Sequence, residues 1–175
     1  MTWRRIAILS LLLSFILALG GCGYALVGRG SNIPAEVRSV YIRPLENRTP
    51  RSQVEQFLTR AIAEEMVTRH RFSVATGPEG ADAELSGAVV FFGATPVTFD
   101  PGGRATEYEI SMTAQISFKR TGGDQVLWSN DNYTFRETYP LDATGANYVD
   151  REDEAIERAA KRFAQTMVSD LLEGF

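Results

Sequence analysis

From residue 108 to residue 119 the chain alternates without a fault. Tyr108, Ile110, Met112, Ala114, Ile116 and Phe118 are apolar, and Glu109, Ser111, Thr113, Gln115, Ser117 and Lys119 fill the places between them. Side chains two apart share a face only in an extended strand, so this strand has one buried side and one wet side. It therefore needs partner strands and an apolar layer over its buried side. Gly122-Gly123-Asp124 follows and reads as a hairpin turn. Residues 125–137 form the next strand. Its apolar positions change parity, Val126 and Trp128 being even but Tyr133 and Phe135 odd. Either a bulge lies near Asn130 or both faces are partly covered there.

Upstream, residues 37–45 are a short β-branched run that reads as a strand. Asn47-Arg48-Thr49-Pro50 is a turn, with Thr49 placed to cap a helix and Pro50 fitting its first position. Ser52 and Glu55 offer a second capping pair. Val54, Phe57, Leu58, Ala61, Ile62 and Met66 then have the spacing of a one-faced amphipathic helix, with Arg69 and Arg71 near its negative end. Gly77-Pro78-Glu79-Gly80 breaks the chain, residues 84–92 read as a strand, and residues 93–106 read as a loop holding Pro96, Pro101, Gly102 and Gly103.

The last helix is the longest periodic segment. Ile156, Ala159, Ala160, Phe163, Ala164, Met167, Val168, Leu171 and Leu172 follow the i, i+3, i+4, i+7 rule. Asp150, Glu152, Asp153 and Glu154 crowd its positive end, and Gly174 stops it. The order is β-α-β-β-β-α, an α+β fold. Two apolar helix stripes need one shared sheet face, so the expectation is two helices packed on one face of a four-stranded mixed sheet. The first two strands should be parallel through a right-handed crossover, and the last three should form an antiparallel meander. Loops 93–106 and 138–151 then lie at one end of the sheet, opposite the end where the chain enters.

What precedes this domain has a different character. Arg4 and Arg5 are followed by an apolar run from Ile6 to Leu19, broken only by Ser10 and Ser14, and then by Gly20, Gly21 and Cys22. A charged start, an apolar run and a small-residue exit are the parts of a secretory signal. The run is shorter than the roughly 20 residues that cross a bilayer as a helix, which weighs against an uncleaved anchor. Cys22 is the single cysteine of the chain, so no intramolecular disulfide is available. Leu19-Gly20-Gly21-Cys22 resembles the lipobox of bacterial lipoproteins. The resemblance implies cleavage before Cys22, acylation of its thiol and usually of the new amino end, and anchoring through two or three lipid chains. Gly23 follows where some lipoproteins carry an Asp that retains them at the inner membrane, so its presence resembles an outer-membrane address. The expected organisation is a signal peptide over 1–21, a lipidated N-terminus and tether over 22–36, and a single domain over 37–175.

Composition and side-chain inventory narrow the function. Removing residues 1–21 takes Arg4 and Arg5 from the 18 basic residues and leaves 16 against 22 acidic ones, a net charge of −6. That weighs against a general nucleic-acid binder. His70 is the only histidine, and it sits in a basic stretch at a helix end. No Ser-His-Asp or Cys-His set is built around it, and no Cys/His cluster is spaced for zinc. The run from Asp150 to Glu154 lacks the alternation of a calcium loop and is better read as a helix start. Gly102-Gly103 is too short for a phosphate loop. The expectation is a binding or assembly protein without cofactor or metal, not an enzyme.

One family shares these features in order. Cys22-Gly23-Tyr24-Ala25-Leu26-Val27-Gly28, then Ile33-Pro34, Ile42-Arg43-Pro44-Leu45-Glu46-Asn47-Arg48-Thr49, Ala81-Asp82-Ala83-Glu84-Leu85-Ser86-Gly87, Glu107-Tyr108, Leu127-Trp128 and the terminal helix resemble the lipopolysaccharide-assembly lipoprotein family LptE. The resemblance implies an outer-membrane lipoprotein, lipid-anchored on the periplasmic side. It would plug and partner an LptD-type β-barrel and bind lipopolysaccharide on its way to the cell surface. An acidic, polar-surfaced body suits the polar lumen of such a barrel. Family members carry a basic residue before the Glu-Tyr strand start and another before the last helix. Here Arg104 and Arg151 are the nearest cations, and they are the candidate contacts for the phosphates of lipid A. A different envelope role, as a lipoprotein subunit of a secretion or pilus complex, is the alternative.

Overall fold

The computed structural model describes residues 33–123, 125–141 and 148–174, and the side chains among them except those of 148–151. The signal peptide and Cys22 lie outside the described residues. The elements run β1 Ser39–Ile42, β2 Glu46–Asn47, α1 Val54–Thr68, β3 Ser73–Ala75, β4 Ala83–Phe99, β5 Ala105–Arg120, β6 Val126–Pro140 and α2 Tyr148–Glu173.

The fold is α+β, with two helices and one open mixed sheet. The sheet has six strands where four are expected, in the order β3-β1-β4-β5-β6, with β2 also paired to β4. Two local causes explain the extra strands. The expected strand over 37–45 is cut by Pro44, which has no N–H to give to a ladder. Leu45 N–H turns instead to Thr59 Oγ1 on α1, at 3.0 Å. The chain rejoins β4 as the two-residue β2. The other addition, β3, pairs parallel with β1 over only three residues, too few to leave a periodic signature.

The parallel pairing of β1 with β4, Val40 opposite Ala83, and the antiparallel β4-β5-β6 meander agree with the sequence reading. The alternating strand behaves as its pattern demands, with Ile110, Met112, Ala114, Ile116 and Phe118 all buried. On β6, Ala114 faces Tyr133 and Ile116 faces Asn130, so Asp131 and Asn132 together oppose one residue of β5. This bulge returns Trp128 and Tyr133 to the same buried side despite their opposite parity. Their rings meet edge-on at 6.4 Å, and Tyr133 in turn meets Phe163 of α2 at 5.1 Å.

The entry to α1 differs from the expected caps. Asn47 Oδ1 accepts from Thr49 N–H and Thr49 Oγ1, and its amide donates to Glu55 Oε2 and to the Arg51 carbonyl. Thr49 and Glu55 are thus engaged by one asparagine. The helix begins only at Val54, after Gln53 at φ 70° with no side-chain cap. Its buried stripe is Val54, Leu58, Ile62 and Met66. At the other helix, Gly174 at φ 78° closes α2 with its N–H on the Asp170 carbonyl.

Both helix stripes meet the same buried cluster, from Val40 and Leu85 through Ile116 to Phe163 and Met167. Ile33, the first described residue, is already packed at 3% exposed.

A candidate functional site at the free end of the sheet

Register fixes which elements share an end. β4 and β6 run the same way, and β1 is parallel to them. The chain enters at the end holding Ser39, Ala83 and Arg120, while the β4–β5 turn and the exit from β6 lie at the opposite end. Two contacts orient α2 antiparallel to β6. Tyr133 donates to Asp170 Oδ2 at 2.5 Å, and Arg162 donates to Glu137 Oε2 at 3.2 Å. The start of α2 therefore returns to the end of the β4–β5 turn, as element order alone implied.

The loop expected over 93–106 is mostly strand. β4 continues to Phe99, β5 resumes at Ala105, and the turn itself is only Asp100–Arg104. Pro96 is compatible with this because β4 has a single described neighbour at that point, so a missing N–H on the other side costs no described ladder bond. The turn is self-contained. Asp100 Oδ1 accepts from Arg104 N–H, and Asp100 N–H donates to the Arg104 carbonyl, both at 2.9 Å. Gly103 takes φ 78° inside it. Arg104 is exposed, and its guanidinium has no ion pair among the described residues. Leu141 N–H donates to the Thr106 carbonyl at 2.8 Å, tying the end of β6 to the base of the turn.

Arg151 lies in the first turn of α2, and its side chain falls outside the described residues. Its neighbours hold that turn in place. Arg51 pairs with Asp153 and lies 3.8 Å from Glu152. Part of the acidic cluster at the helix start is thus tied to the segment before α1. The structure brings Arg104 and the first turn of α2 to one end, with Arg104 further out on the hairpin.

Three residues at this end escape the sequence reading. Phe91, Val97 and Phe99 are 53%, 46% and 56% exposed, the largest apolar side chains left open on β4. Val97 and Phe99 fell inside the supposed loop, where an apolar residue carries no directional meaning. Phe91 lies beyond a register shift at Val90 that moves odd positions to the helix-free face. That face is otherwise polar. A groove of about 540 Å³ runs over Ser86, Ala88, Gln115 and Ser117. Its arginines are paired, Arg43 with Glu84 at 2.6 Å and Arg48 with Glu46 at 2.8 Å. His70 takes φ 52° just past α1, the role of a helix terminator. Among the described residues no polar or charged residue is fully buried, and no group of three metal-ligating side chains forms.

The family model for LptE, lipopolysaccharide-assembly, matches residues 37–171. The chain belongs to the LptE family. The match spans every strand and both helices up to the last residues of α2. Among curated proteins none matches this chain. Among solved structures, the chain is similar to a hypothetical protein from Chlamydia trachomatis, at 7% identity and a TM-score of 0.52, covering 79% of this chain and 99% of that one. It is similar to the PelC dodecamer subunit from Paraburkholderia phytofirmans, at 14% identity and a TM-score of 0.50, covering 83% and 93%. It is also similar to rare lipoprotein B from Shewanella oneidensis, at 19% identity and a TM-score of 0.46, covering 75% and 95%. The first two likenesses establish a shared fold for this LptE-family domain.

Proposed function

We propose that this LptE-family protein is an outer-membrane lipoprotein that partners and plugs an LptD-type β-barrel and assists lipopolysaccharide transport to the cell surface. The family match over residues 37–171 carries the reading. The signal peptide over 1–21 is removed and Cys22 takes the lipid. No described helix is long and apolar enough to cross a membrane, so in this reading attachment falls to the lipidated Cys22. The domain works by binding and not by catalysis. Its polar, helix-free sheet face suits the water-filled lumen of a barrel.

The cargo contact rests on Arg104 and Arg151, which would meet lipid A phosphates through charge-assisted hydrogen bonds. An Arg104→Asp, Arg151→Asp double variant that still folds should lose about tenfold or more in lipopolysaccharide affinity, since each arginine becomes a repelling carboxylate. Unchanged affinity removes the two arginines from the site. The partnership itself is tested by capturing the tagged mature lipoprotein from detergent-solubilised outer membranes and identifying what it brings with it. A stoichiometric LptD-type barrel supports the reading. A secretin or ring protein in its place moves the protein to another envelope complex.

A further inference from the structure

The upper half of β4 has an open edge with an unusual composition. On that side β1 pairs with Val40 opposite Ala83 through Ile42 opposite Leu85, and β2 covers Ala88 and Val89. Among the described residues the last bond on this edge is Arg48 N–H to the Val89 carbonyl, at 2.9 Å. From Val90 to Phe99 no described strand pairs there, and those ten residues contain no charged side chain. The sheet's other long edge is different. β6 carries the Asp131–Asn132 bulge and places Asp131 and Arg136 in solvent. A bulge and exposed charges are what sheet proteins use to keep an edge from pairing with another chain. The β4 edge has its irregularities only at its limits, at Val90 and beyond Pro96. Phe91 to Thr95 is left as a short, uncharged and open ladder.

We propose that this edge, from Phe91 to Thr95, receives an extended uncharged segment of the barrel partner by strand addition. The inference rests on the reading of the protein as a barrel partner, and it names the place and the mode of contact. Backbone N–H and C=O groups along an open edge are satisfied by another strand and not by acyl chains. Exposed Phe91 beside Gly93 on the helix-free face asks for an apolar side chain opposite it. The ring already leans over the glycine, where an added Cβ would lie 3.1 Å from Phe91 Cζ. Strands in the wall of a closed barrel already have both edges paired, so the incoming strand is a segment of the partner outside that wall, a loop or a terminal stretch. The incoming strand continues the line that β2 begins on the same edge.

The test uses the full-length lipoprotein co-produced with its barrel. Phe91→Lys with Thr95→Lys places two charges on the edge at exposed positions, so the core is untouched. Ser129→Lys with Thr138→Lys places the same charge on exposed positions of β6. The first pair should lower barrel capture about tenfold while the second leaves it unchanged, because strand addition is local to one edge. A photoreactive benzoylphenylalanine at position 91 keeps the aromatic ring and should crosslink to one segment of the barrel. Capture that survives the first pair, that falls equally with both, or a crosslink map without barrel peptides overturns the inference while wild-type capture keeps the partnership intact. Absence of any barrel with the wild-type protein overturns both.

Discussion

The β4–β5 hairpin is one continuous ribbon with two unlike halves. In the half from Ala83 to Val89 the ribbon is flanked by β1, β2 and β6 and roofed by the helices, and Leu85, Val89, Ile116 and Phe118 are buried completely or nearly so. In the half from Val90 to Phe99, β6 still flanks β5 and Ile110 and Met112 stay buried opposite Ala94 and Phe92, but no described strand flanks β4, and every residue from Thr95 to Phe99 is exposed. The same backbone pairing runs through both. Hydrogen bonding alone therefore does not decide where stability resides. Burial of apolar area under the helices does.

The sharpest way to separate the halves is to remove one phenylalanine from each. Phe118 is fully buried and its ring lies 6.0 Å from that of Phe72. Phe118→Ala should cost about 3–5 kcal/mol, the usual loss for a buried aromatic including the cavity it leaves. Phe99→Ala should change stability by less than about 0.5 kcal/mol, as surface substitutions do. Urea unfolding with an unchanged slope reads both values. Equal effects would mean that the outer half is packed against something outside the described residues.

Two glycines make the same comparison with a smaller expected effect. An added Cβ at Gly87 would sit 2.1 Å from the Gln115 carbonyl oxygen and 3.1 Å from Ile116 Cδ1. The obstacle is the backbone of the paired strand, which cannot swing aside, so Gly87→Ala should destabilise by about 1–3 kcal/mol through overpacking. At Gly93 the nearest atoms belong to the exposed ring of Phe91, which can rotate away. Gly93→Ala should stay within about 0.5 kcal/mol of wild type, because the alanine also narrows the unfolded ensemble. A substantial loss at Gly93 would show that the Phe91 ring is held in place.

These halves were unequally legible in the sequence. The covered half was readable because burial imposes periodicity. The even positions of 108–119 and the stripe from Ile156 to Leu172 each identify a face, and the parity change in β6 left a bulge as one of two readings, which the register decides. On the outer part of β4 only Phe92 and Ala94 pack against the core, too few to leave a pattern. Pro96, Pro101, Gly102 and Gly103 then outweighed the remaining signal and suggested a loop. The caps of α1 were misread for another reason. Thr49, Ser52 and Glu55 have the chemistry of helix starters, but Asn47 binds two of them first, and that competition is set by where β2 joins the sheet. Of the proposed site, Arg104 and its end of the sheet were visible. The open edge was not, because exposure of a strand edge depends on which strands are absent beside it.

Within the covered half, polar contacts across elements are worth less than the phenylalanine. Tyr133 joins β6 to α2 through its hydroxyl on Asp170. Burial, and then that bond and the Asp170 charge, raise its phenol above the ordinary value of 10.0, so it remains a donor throughout the neutral range. Tyr133→Phe leaves the ring contacts in place and should cost about 1.5–3 kcal/mol, the worth of one hydrogen bond to a charged acceptor. Calorimetric unfolding of the two proteins at pH 7 measures it. A loss as large as that of Phe118→Ala would make this bond, and not ring packing, the main tie between β6 and α2.

The smallest effect expected concerns pH, and it belongs to the entry end of the same half. Asp82 Oδ2 accepts from Arg38 N–H, Ser39 N–H and Ser39 Oγ, each at 2.9 Å, clamping the start of β1 beside the start of β4. The two backbone bonds, then the hydroxyl bond, lower its pKa below the ordinary 3.8. A carboxylate depressed in the folded state adds stability that is present above its unfolded pKa and lost as pH falls through the folded value. The contribution should thus be complete above about pH 5 and decline below 3.8, which is the region to measure. Asp82→Asn keeps the shape of the acceptor but removes its charge. The variant should be slightly less stable than wild type at neutral pH, and the two unfolding curves should converge as the pH is lowered past that region. Because Asp82 is only partly buried, added salt should shrink the difference. Curves that stay parallel down to the lowest pH would assign the clamp to bond geometry alone. In that case the entry end would be held by the hydrogen bonds themselves, with no contribution from the Asp82 charge.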